Sequence, residues 1–191
     1  MELEKLIEKH RIDHINVFDD LRKHYKKIID YSSLISNSFE NNGKIFFCGN
    51  GGSSSDSQHL AAEFTGRFKK DRIPLPALAL NSDTASLTCI ANDFGYDQVF
   101  SRQLDALGNK NDVLIAISTS GNSPNVINAV KKSKEKKIYS IGLLGKDGGK
   151  ISKLCDSNII VKSNDTARIQ EAHIFIGHIL CTLIEKKLNL D

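Results

Sequence analysis

Apolar positions recur at three- and four-residue steps between Asp13 and Asn41. This spacing places them on one face of an α-helix. Asn41, Asn42 and Gly43 follow, and these residue types tolerate the left-handed backbone that ends helices. The pattern predicts one long amphipathic helix over residues 13–41. Its apolar surface exceeds what one face of a sheet readily covers, so we expect it to pack against a second copy of the chain as well.

The rest of the chain alternates short, continuous apolar runs with helical patterns. Such runs are typical of parallel strands buried on both faces, and their alternation with helices predicts an α/β fold. We expect a three-layer α/β/α sandwich with a central, mostly five-stranded parallel sheet. It would form one domain over residues 1–191, with 1–42 used in oligomer packing. The predicted strands are 44–48, 77–80, 112–118, 138–144 and 157–161. The predicted later helices are 54–66, two short ones within 84–107, one beginning near Asn125, and 165–188.

Composition narrows the possible functions. Hydrophobic residues make up 40% and charged residues 26% of 191 residues, with a net charge of +3, which is ordinary for a globular protein. The basic residues form no single stripe, so no nucleic-acid partner is expected. The densest basic run, residues 131–137, fits the end of a helix with a solvated face, and an anionic partner is the alternative.

The N-terminal segment and the cysteines indicate the compartment. Residues 1–13 are charged and lack the apolar centre of a signal peptide, and no apolar run is long enough to span a bilayer. The four cysteines form no CxxC pair, which favours free thiols in a reducing cytoplasm. Cys48, beside a glycine loop, is either a core residue at a strand end or a catalytic thiol.

Two loops from strand to helix carry the candidate binding chemistry. The first reads CGNGGSSSD after the strand at 44–48, and the second reads STSGNSPN after the strand at 112–118. In an open parallel sheet, ligands bind at such loops, and free N–H groups at a helix N-terminus favour an anion. The alternative is ordinary turn and capping residues. The best phosphate ligands are Thr119, Ser120 and Ser123, followed by Ser118.

Neither loop has the spacing of a nucleotide-binding motif. GNGGSS lacks the G-x-G-x-x-G pattern, and no Gly-Lys-Ser/Thr is present. A small phosphorylated molecule therefore fits better than a nucleotide. Asn50, Gly51 and Gly52 would allow close backbone approach to it, and Ser53 adds a hydroxyl.

A histidine and a carboxylate follow the first loop. His59 and Glu63 lie about 40° apart around a helix, a spacing that suits a divalent metal but also occurs in many helices without one. On the last helix, His173 and His178 differ by about 140° and cannot face one site. Gln170 and His178 differ by about 80° around the helix axis and by about 12 Å of rise along it. They could bind the same ion only if their side chains leaned toward each other, which is an awkward geometry.

Four stretches of the chain form a recognisable set: CGNGGSSSDSQHLAAEFTGRF, ANDFGYDQVFSRQLDALG, ISTSGNSPNVINAVK and TARIQEAHIFIGHIL. Together they resemble the phosphoheptose isomerases, enzymes with a sugar-isomerase (SIS) domain that act on sedoheptulose 7-phosphate. The stretches keep that family's order and approximate spacing, and the resemblance extends from about residue 34 to residue 185.

The resemblance implies a homotetramer, with sites shared between subunits, that interconverts D-sedoheptulose 7-phosphate and D-glycero-D-manno-heptose 7-phosphate through an enediol. This would be the first step toward activated heptoses for lipopolysaccharide, capsule or other bacterial surface polymers. It also implies a zinc ion in each subunit, with proton transfer by Glu63 and His178. The implied zinc ligands are His59, Glu63, Gln170 and His178. The implied substrate-binding residues are Asn50, Gly51, Gly52, Ser53, Glu63, Arg67, Asn92, Asp93, Ser118, Thr119, Ser120, Ser123 and Gln170.

The chain departs from the family pattern at Ser54, Ser55 and Ser57, where alanine is more common, and this bears on substrate preference.

Two rival functions remain. One is a non-catalytic SIS protein that binds a replication-initiator partner; such a relative departs at the positions of Glu63 and His178, which are present here. The other is a regulator that senses a sugar phosphate and needs only the serine loops.

Overall fold

The computed structural model describes residues 1–190; Asp191, the last residue of the predicted domain, lies outside them. Its centre is a five-stranded sheet in which every neighbouring pair is parallel. The strands are β1 (Ile45–Cys48), β2 (Ala77–Ala79), β3 (Val113–Ser118), β4 (Tyr139–Gly145) and β5 (Ser157–Val161). The α-helices are α1 (Glu2–Asp20), α2 (Tyr25–Glu40), α3 (Gly52–Thr65), α4 (Thr84–Phe94), α5 (Val99–Leu107), α6 (Pro124–Glu135) and α7 (Thr166–Lys187). The predicted three-layer α/β/α sandwich is confirmed.

Alternate residues of the strands face two separate hydrophobic cores. Ile45 and Phe47 of β1 pack into the core beneath α2, α3 and α7. Phe46 and Cys48 pack into the core beneath α5 and α6. Both sets are almost fully buried, which explains why the strand reads as a continuous apolar run. Burial raises the pKa of the Cys48 thiol to about 12, so Cys48 is a core residue and not a reactive thiolate.

The predicted single helix over residues 13–41 is wrong in its start and in its continuity. Helix α1 already begins at Glu2, and a 3₁₀ turn at Leu21–His24 separates it from α2. Residues 1–12 are rich in Glu, Lys and Leu, which favour helix without any core-facing pattern. No residue of α1 is buried, whereas Leu21 in the turn inserts into the core. The chain therefore changes its helix type where a side chain first becomes fully buried.

The order of the strands places two loops side by side. The sheet order is β2-β1-β3-β4-β5, so the chain crosses from β1 to β2 in one direction and returns to β3 on the other side. The neighbours β1 and β3 therefore form the topological switch point, where open α/β sheets leave a crevice at the carboxyl ends of the strands. The two glycine- and serine-rich loops border this crevice. None of the helices within residues 1–190 is long and apolar enough to cross a bilayer.

Candidate active site

The two loops at the switch point are joined by a reciprocal pair of amides. Asn50 Nδ2 donates to Asn125 Oδ1 at 2.8 Å, and Asn125 Nδ2 donates to Asn50 Oδ1 at 2.9 Å. The Tyr96 hydroxyl also donates to Asn50 Oδ1 at 3.3 Å. Asn125 is buried at the start of α6. The loop after β1 and the loop after β3 are thus parts of one site.

The serine loop presents hydroxyls at the N-terminus of α6. Ser118 Oγ lies 3.3 Å from Ser123 Oγ and accepts the N–H of Gly121 at 3.1 Å. Gly121 has φ +65°, which glycine adopts without strain and which folds the loop back over Ser118. Ser123 precedes α6 without capping it through its side chain. Hydroxyls therefore meet at the N-terminus of α6, where the helix dipole favours an anion. Thr119 and Ser120 are partly exposed in the same loop.

The glycine loop leads directly into α3 and touches α7. Gly51 has φ +57°, and α3 begins at Gly52. A Cβ at Gly52 would lie only 2.1 Å from Gln170 Nε2. Leu60 packs equally closely against Gly177 two turns further along, so α3 and α7 run side by side in the same direction. Gln170 therefore lies beside the glycine loop.

Further along the same two helices, three side chains converge. His59 Nε2 lies 3.0 Å from Glu63 Oε1, and His178 Nε2 lies 3.2 Å from His59 Nε2. One ligand atom from each residue lies within 4.8 Å of the others. Two imidazole nitrogens and a carboxylate oxygen are a donor set that suits Zn²⁺. Of the four predicted ligands, these three come together, whereas Gln170 lies about 12 Å of helix rise from His178.

The environment of His178 favours its neutral ring. Burial lowers its pKa, the neighbouring His59 ring lowers it further, and Glu63 acts in the opposite direction. Phe68 stacks on the ring at 5.5 Å between centroids. Neutral imidazole is the form that binds a metal or accepts a proton. The His59 side chain is 48% exposed and Glu63 24%, so the cluster opens to solvent.

His173 is separate from this cluster, as the helical angle predicts. It is buried under the sheet, with Nε2 3.1 Å from the Leu144 carbonyl oxygen. Burial lowers its pKa to about 4, so its ring is neutral at physiological pH. Its place is in the core.

The other predicted substrate residues lie in different places, at the start of α3, after its end and at the end of α4. Ser53 is buried in the first turn of α3. Arg67 is exposed in the turn after α3, where it donates to the Lys69 carbonyl at 3.4 Å. Asn92 and Asp93 are exposed near the end of α4 and bond to each other at 2.8 Å, shortly before Tyr96 reaches Asn50.

The serines that depart from the family pattern make mostly structural bonds. Ser57 is buried and donates to the Ser53 carbonyl at 2.7 Å. Ser54 Oγ accepts from Asn81 Nδ2 at 2.5 Å. Ser55 is exposed on the outer face of the helix.

Two polar residues near the site have no counterpart in the sequence-based prediction. Asn125 follows the serine loop directly, but its partner Asn50 lies 75 positions earlier, a distance that no local pattern reveals. Asp56 lies about 60° from His59 around α3. Its Oδ2 is buried without a hydrogen-bond partner in the part of the chain described here, and burial raises its pKa to about 6. Asp56 could have been found from the sequence, because it lies three residues before His59, a spacing that puts both on neighbouring positions of a helix.

Comparison with known proteins decides the family. The family model described as "SIS domain" matches residues 14–145. A phosphoheptose isomerase of Nitratiruptor is 51% identical over 181 residues, which is 94% of this chain and 97% of the relative. The chain belongs to the phosphoheptose isomerase family.

Other phosphoheptose isomerases agree. One from Campylobacter jejuni is 50% identical over 95% of this chain and 97% of the relative. The solved structure of the enzyme from Neisseria gonorrhoeae superimposes with a TM-score of 0.91 at 43% identity, over 96% of this chain and 99% of that one. Fold and family are thus supported along almost the full length of the chain, and the protein is an isomerase of this family.

Proposed function

We propose that this chain interconverts D-sedoheptulose 7-phosphate and D-glycero-D-manno-heptose 7-phosphate, as a source of activated heptose for bacterial surface polymers. The observation that carries the proposal is the convergence of Glu63 and His178 on His59, on α3, which begins at the glycine loop, and on α7, which touches that loop. A sensor of sugar phosphates, or a protein that binds a replication initiator, has no need for the group formed by His59, Glu63 and His178. A phosphosugar isomerase needs loops that bind the phosphosugar and also side chains that transfer protons.

Phosphate recognition is assigned to the serine loop. Ser118, Thr119, Ser120 and Ser123 supply hydroxyls at the N-terminus of α6, where the helix dipole favours an anion. Binding energy from the phosphate would orient the distant carbonyl end of the sugar. Asn50, Gly51, Gly52 and Ser53 would contact the sugar, together with Arg67, Asn92 and Asp93.

The metal centre is assigned to His59, Glu63 and His178, with Gln170 as the fourth ligand. The three clustered side chains fit a zinc ion in donor type and mutual distance. When bound, zinc would polarise the sugar oxygens and stabilise negative charge that develops on them. A cation-bound carboxylate is a weaker base, so Glu63 would have to ligate loosely or exchange between metal and substrate.

Glu63 and His178 are assigned to proton transfer. The Glu63 carboxylate would take the proton from the hydroxyl-bearing carbon beside the carbonyl, and the N–H of the His178 ring would supply a proton to the carbonyl oxygen, giving an enediol. Return of the first proton to the former carbonyl carbon, with transfer of the hydroxyl proton of the other carbon to His178, makes that other carbon the new carbonyl and completes the isomerisation. Each group therefore ends the reaction in the protonation state in which it began, as a general acid–base catalyst must.

The place of Gln170 supports a site shared between subunits. In one chain its amide contacts Gly52, about two turns of helix away from His178. Joining the four ligands at one ion would therefore draw on a second copy of the chain. We propose a homotetramer in which loops of one subunit approach the histidine cluster of another.

The surface of the chain supports assembly. α1 exposes Leu3, Leu6 and Ile7, which are 75%, 50% and 69% accessible. A groove between α2 and α7 is lined almost entirely by apolar side chains: Tyr25, Ile28, Ile29, Phe175, Ile179 and Leu183. Contiguous apolar surface of this kind marks a protein interface. The four free cysteines fit a cytoplasmic location for the assembly.

Substitution of Glu63 tests this assignment. Glu63→Gln should bind the phosphosugar in isothermal calorimetry, yet turn it over about 100-fold more slowly or worse, since a general base is worth about that much or more. Deuterium uptake from D₂O into the carbon-bound positions, followed by NMR, measures the proton step directly. Glu135→Gln, at the exposed end of α6, is the matched control and should exchange like the wild type. Wild-type exchange by Glu63→Gln would remove Glu63 from proton transfer.

A further inference from the structure

We propose that Arg72 and Glu185 form a positioning pair that fixes the end of α3 against α7 and thereby sets the geometry of the metal centre. The proposal rests on the metal centre proposed above. Neither residue belongs to the implied ligand or substrate sets.

The pair is the most deeply buried ion pair in the part of the chain described here. Arg72 Nε donates to Glu185 Oε1 at 2.7 Å, and both side chains are only 2% exposed. Arginine and glutamate are almost never so buried unless they are paired. Removing two such charges from water is costly, so a buried pair is weak support for stability by itself.

The guanidinium also binds the last carbonyls of α3. Nη2 donates to the Glu63 carbonyl oxygen at 2.7 Å, and Nη1 donates to that of Phe64 at 2.8 Å. Nη1 also reaches the carbonyl oxygens of Gly66 and Ile73. Helix-end carbonyls lack partners within their own helix, and a cation is favourable there. One of the residues held in this way is Glu63 itself.

The other half of the pair belongs to the helix that carries His178. Glu185 follows His178 by seven residues, which places it about 20° away around α7 and about 10 Å further along. Both side chains therefore face the C-terminal part of α3. Besides the packing of Leu60 against Gly177, two polar links join the helices here: the histidine–carboxylate cluster and the Arg72–Glu185 pair. With the pair in place, α3 cannot slide or rotate against α7, which keeps Glu63 and His59 within reach of His178.

A second buried ion pair serves as an internal control. Lys44 Nζ lies 2.9 Å from Asp112 Oδ2, with Asp112 only 1% exposed. This pair lies before β1 and β3, at the amino edge of the sheet, opposite the switch point. If buried ion pairs matter only for stability, disrupting either pair should have the same consequences. If Arg72 and Glu185 position the metal centre, only their substitution should change metal binding.

The test measures Co²⁺ binding by its visible absorption, and Zn²⁺ affinity by competition with a chromophoric chelator. Arg72→Lys keeps the charge but loses the fork of bonds, and Glu185→Gln keeps an acceptor for Nε. Each folded variant should bind the metal about 10- to 100-fold more weakly, as is usual when groups that orient ligands are lost. The Co²⁺ spectrum should change and kcat should fall, with KM for the phosphosugar little altered because the serine loop is elsewhere.

Asp112→Asn should lower the melting temperature while leaving the Co²⁺ spectrum and affinity at wild-type values. Where Arg72→Lys does not fold, Glu185→Gln carries the test, and circular dichroism establishes its fold. Folded variants at both positions with wild-type spectra and affinities within twofold would overturn the positioning role. A wild-type protein that binds neither ion would instead remove the metal centre itself, which is a separate failure.

Discussion

Gly52 shows how a single atom can matter at the residue scale. A Cβ at this position would lie 2.1 Å from Gln170 Nε2, the tip of a flexible side chain. Gly52→Ala should therefore change the free energy of unfolding by no more than about 1 kcal/mol, since alanine favours helix while Gln170 swings aside. It should lower kcat/KM about 10- to 100-fold, because Gln170 leaves the site.

The measurement is steady-state kinetics beside a urea titration. Ser55→Ala, on the exposed face of the same helical turn, is the control and should keep wild-type kinetics. Unchanged kcat/KM in Gly52→Ala would show that the position of Gln170 is irrelevant to turnover.

His173 makes a prediction about pH. Its pKa is about 4 in the folded protein, below the value of about 6.5 for an unfolded chain. The unfolded state therefore binds more protons between these values, and stability falls as pH decreases from 6.5 to 4. The loss attributable to His173 should reach about 3 kcal/mol.

Urea titrations of wild type and His173→Gln between pH 7 and 4.5 test this. Asp56, whose pKa is raised to about 6, makes stability increase as the pH falls, but it does so equally in both proteins. The difference in unfolding free energy between the two proteins therefore reports on His173. The variant should lose less stability on acidification. Parallel curves would mean that His173 does not titrate in this range on unfolding.

At the residue scale, the sequence indicated which residues are candidates for the site better than it indicated which of them meet in space. The spacing of His59 and Glu63 correctly placed them on one helical face. Their meeting with His178 depends on the packing of α3 against α7, which no local pattern encodes. Arg72 was missed because its partners are backbone carbonyls and a carboxylate 113 positions away.

At the scale of elements, the contact between α3 and α7 depends on Gly177. A Cβ there would lie 2.4 Å from Leu60 Cδ2 and 3.1 Å from its Cγ. Gly177→Ala should destabilise the fold by about 1–3 kcal/mol, as overpacking does. It should also weaken Co²⁺ binding, because the next residue is His178.

Shortening the opposing side chain gives the control. Leu60→Ala combined with Gly177→Ala should recover Co²⁺ affinity relative to Gly177→Ala alone, which is non-additivity between touching residues. If Gly177→Ala binds Co²⁺ like the wild type, the spacing of these helices does not control the cluster.

Strands were predicted within one or two residues of their observed ends. In β1 and β3 the reason is that both faces are buried and the apolar runs are continuous. The first part of α1, before Asp13, was missed because its apolar side chains Leu3, Leu6 and Ile7 are exposed on this chain. Amphipathic patterning detects burial, and a segment that buries no apolar side chain within its own chain gives no such signal.

At the scale of the whole molecule, the apolar surface of α1, α2 and α7 predicts assembly. Wild-type protein should have four times the 21.2 kDa chain mass in light scattering. Ile29→Glu, at a side chain that is 50% exposed beside the apolar groove, should dissociate it, since a buried charge without a partner is costly. It should also lower activity if sites are shared.

Leu107→Glu is the matched control, because Leu107 is 46% exposed at the end of α5, on the opposite face of the sheet. It should leave the mass unchanged. A wild-type mass equal to one chain would contradict the tetramer and the shared site together.

The most direct test is conversion of the proposed substrate by the purified protein. Sedoheptulose 7-phosphate is incubated with three samples: zinc-replete protein, protein stripped of metal by a chelator, and stripped protein to which zinc is returned. NMR of the anomeric protons follows the conversion. We expect signals of D-glycero-D-manno-heptose 7-phosphate with the replete and restored samples and little conversion by the stripped one. Absence of the aldose signal with zinc-replete protein would contradict the proposed function.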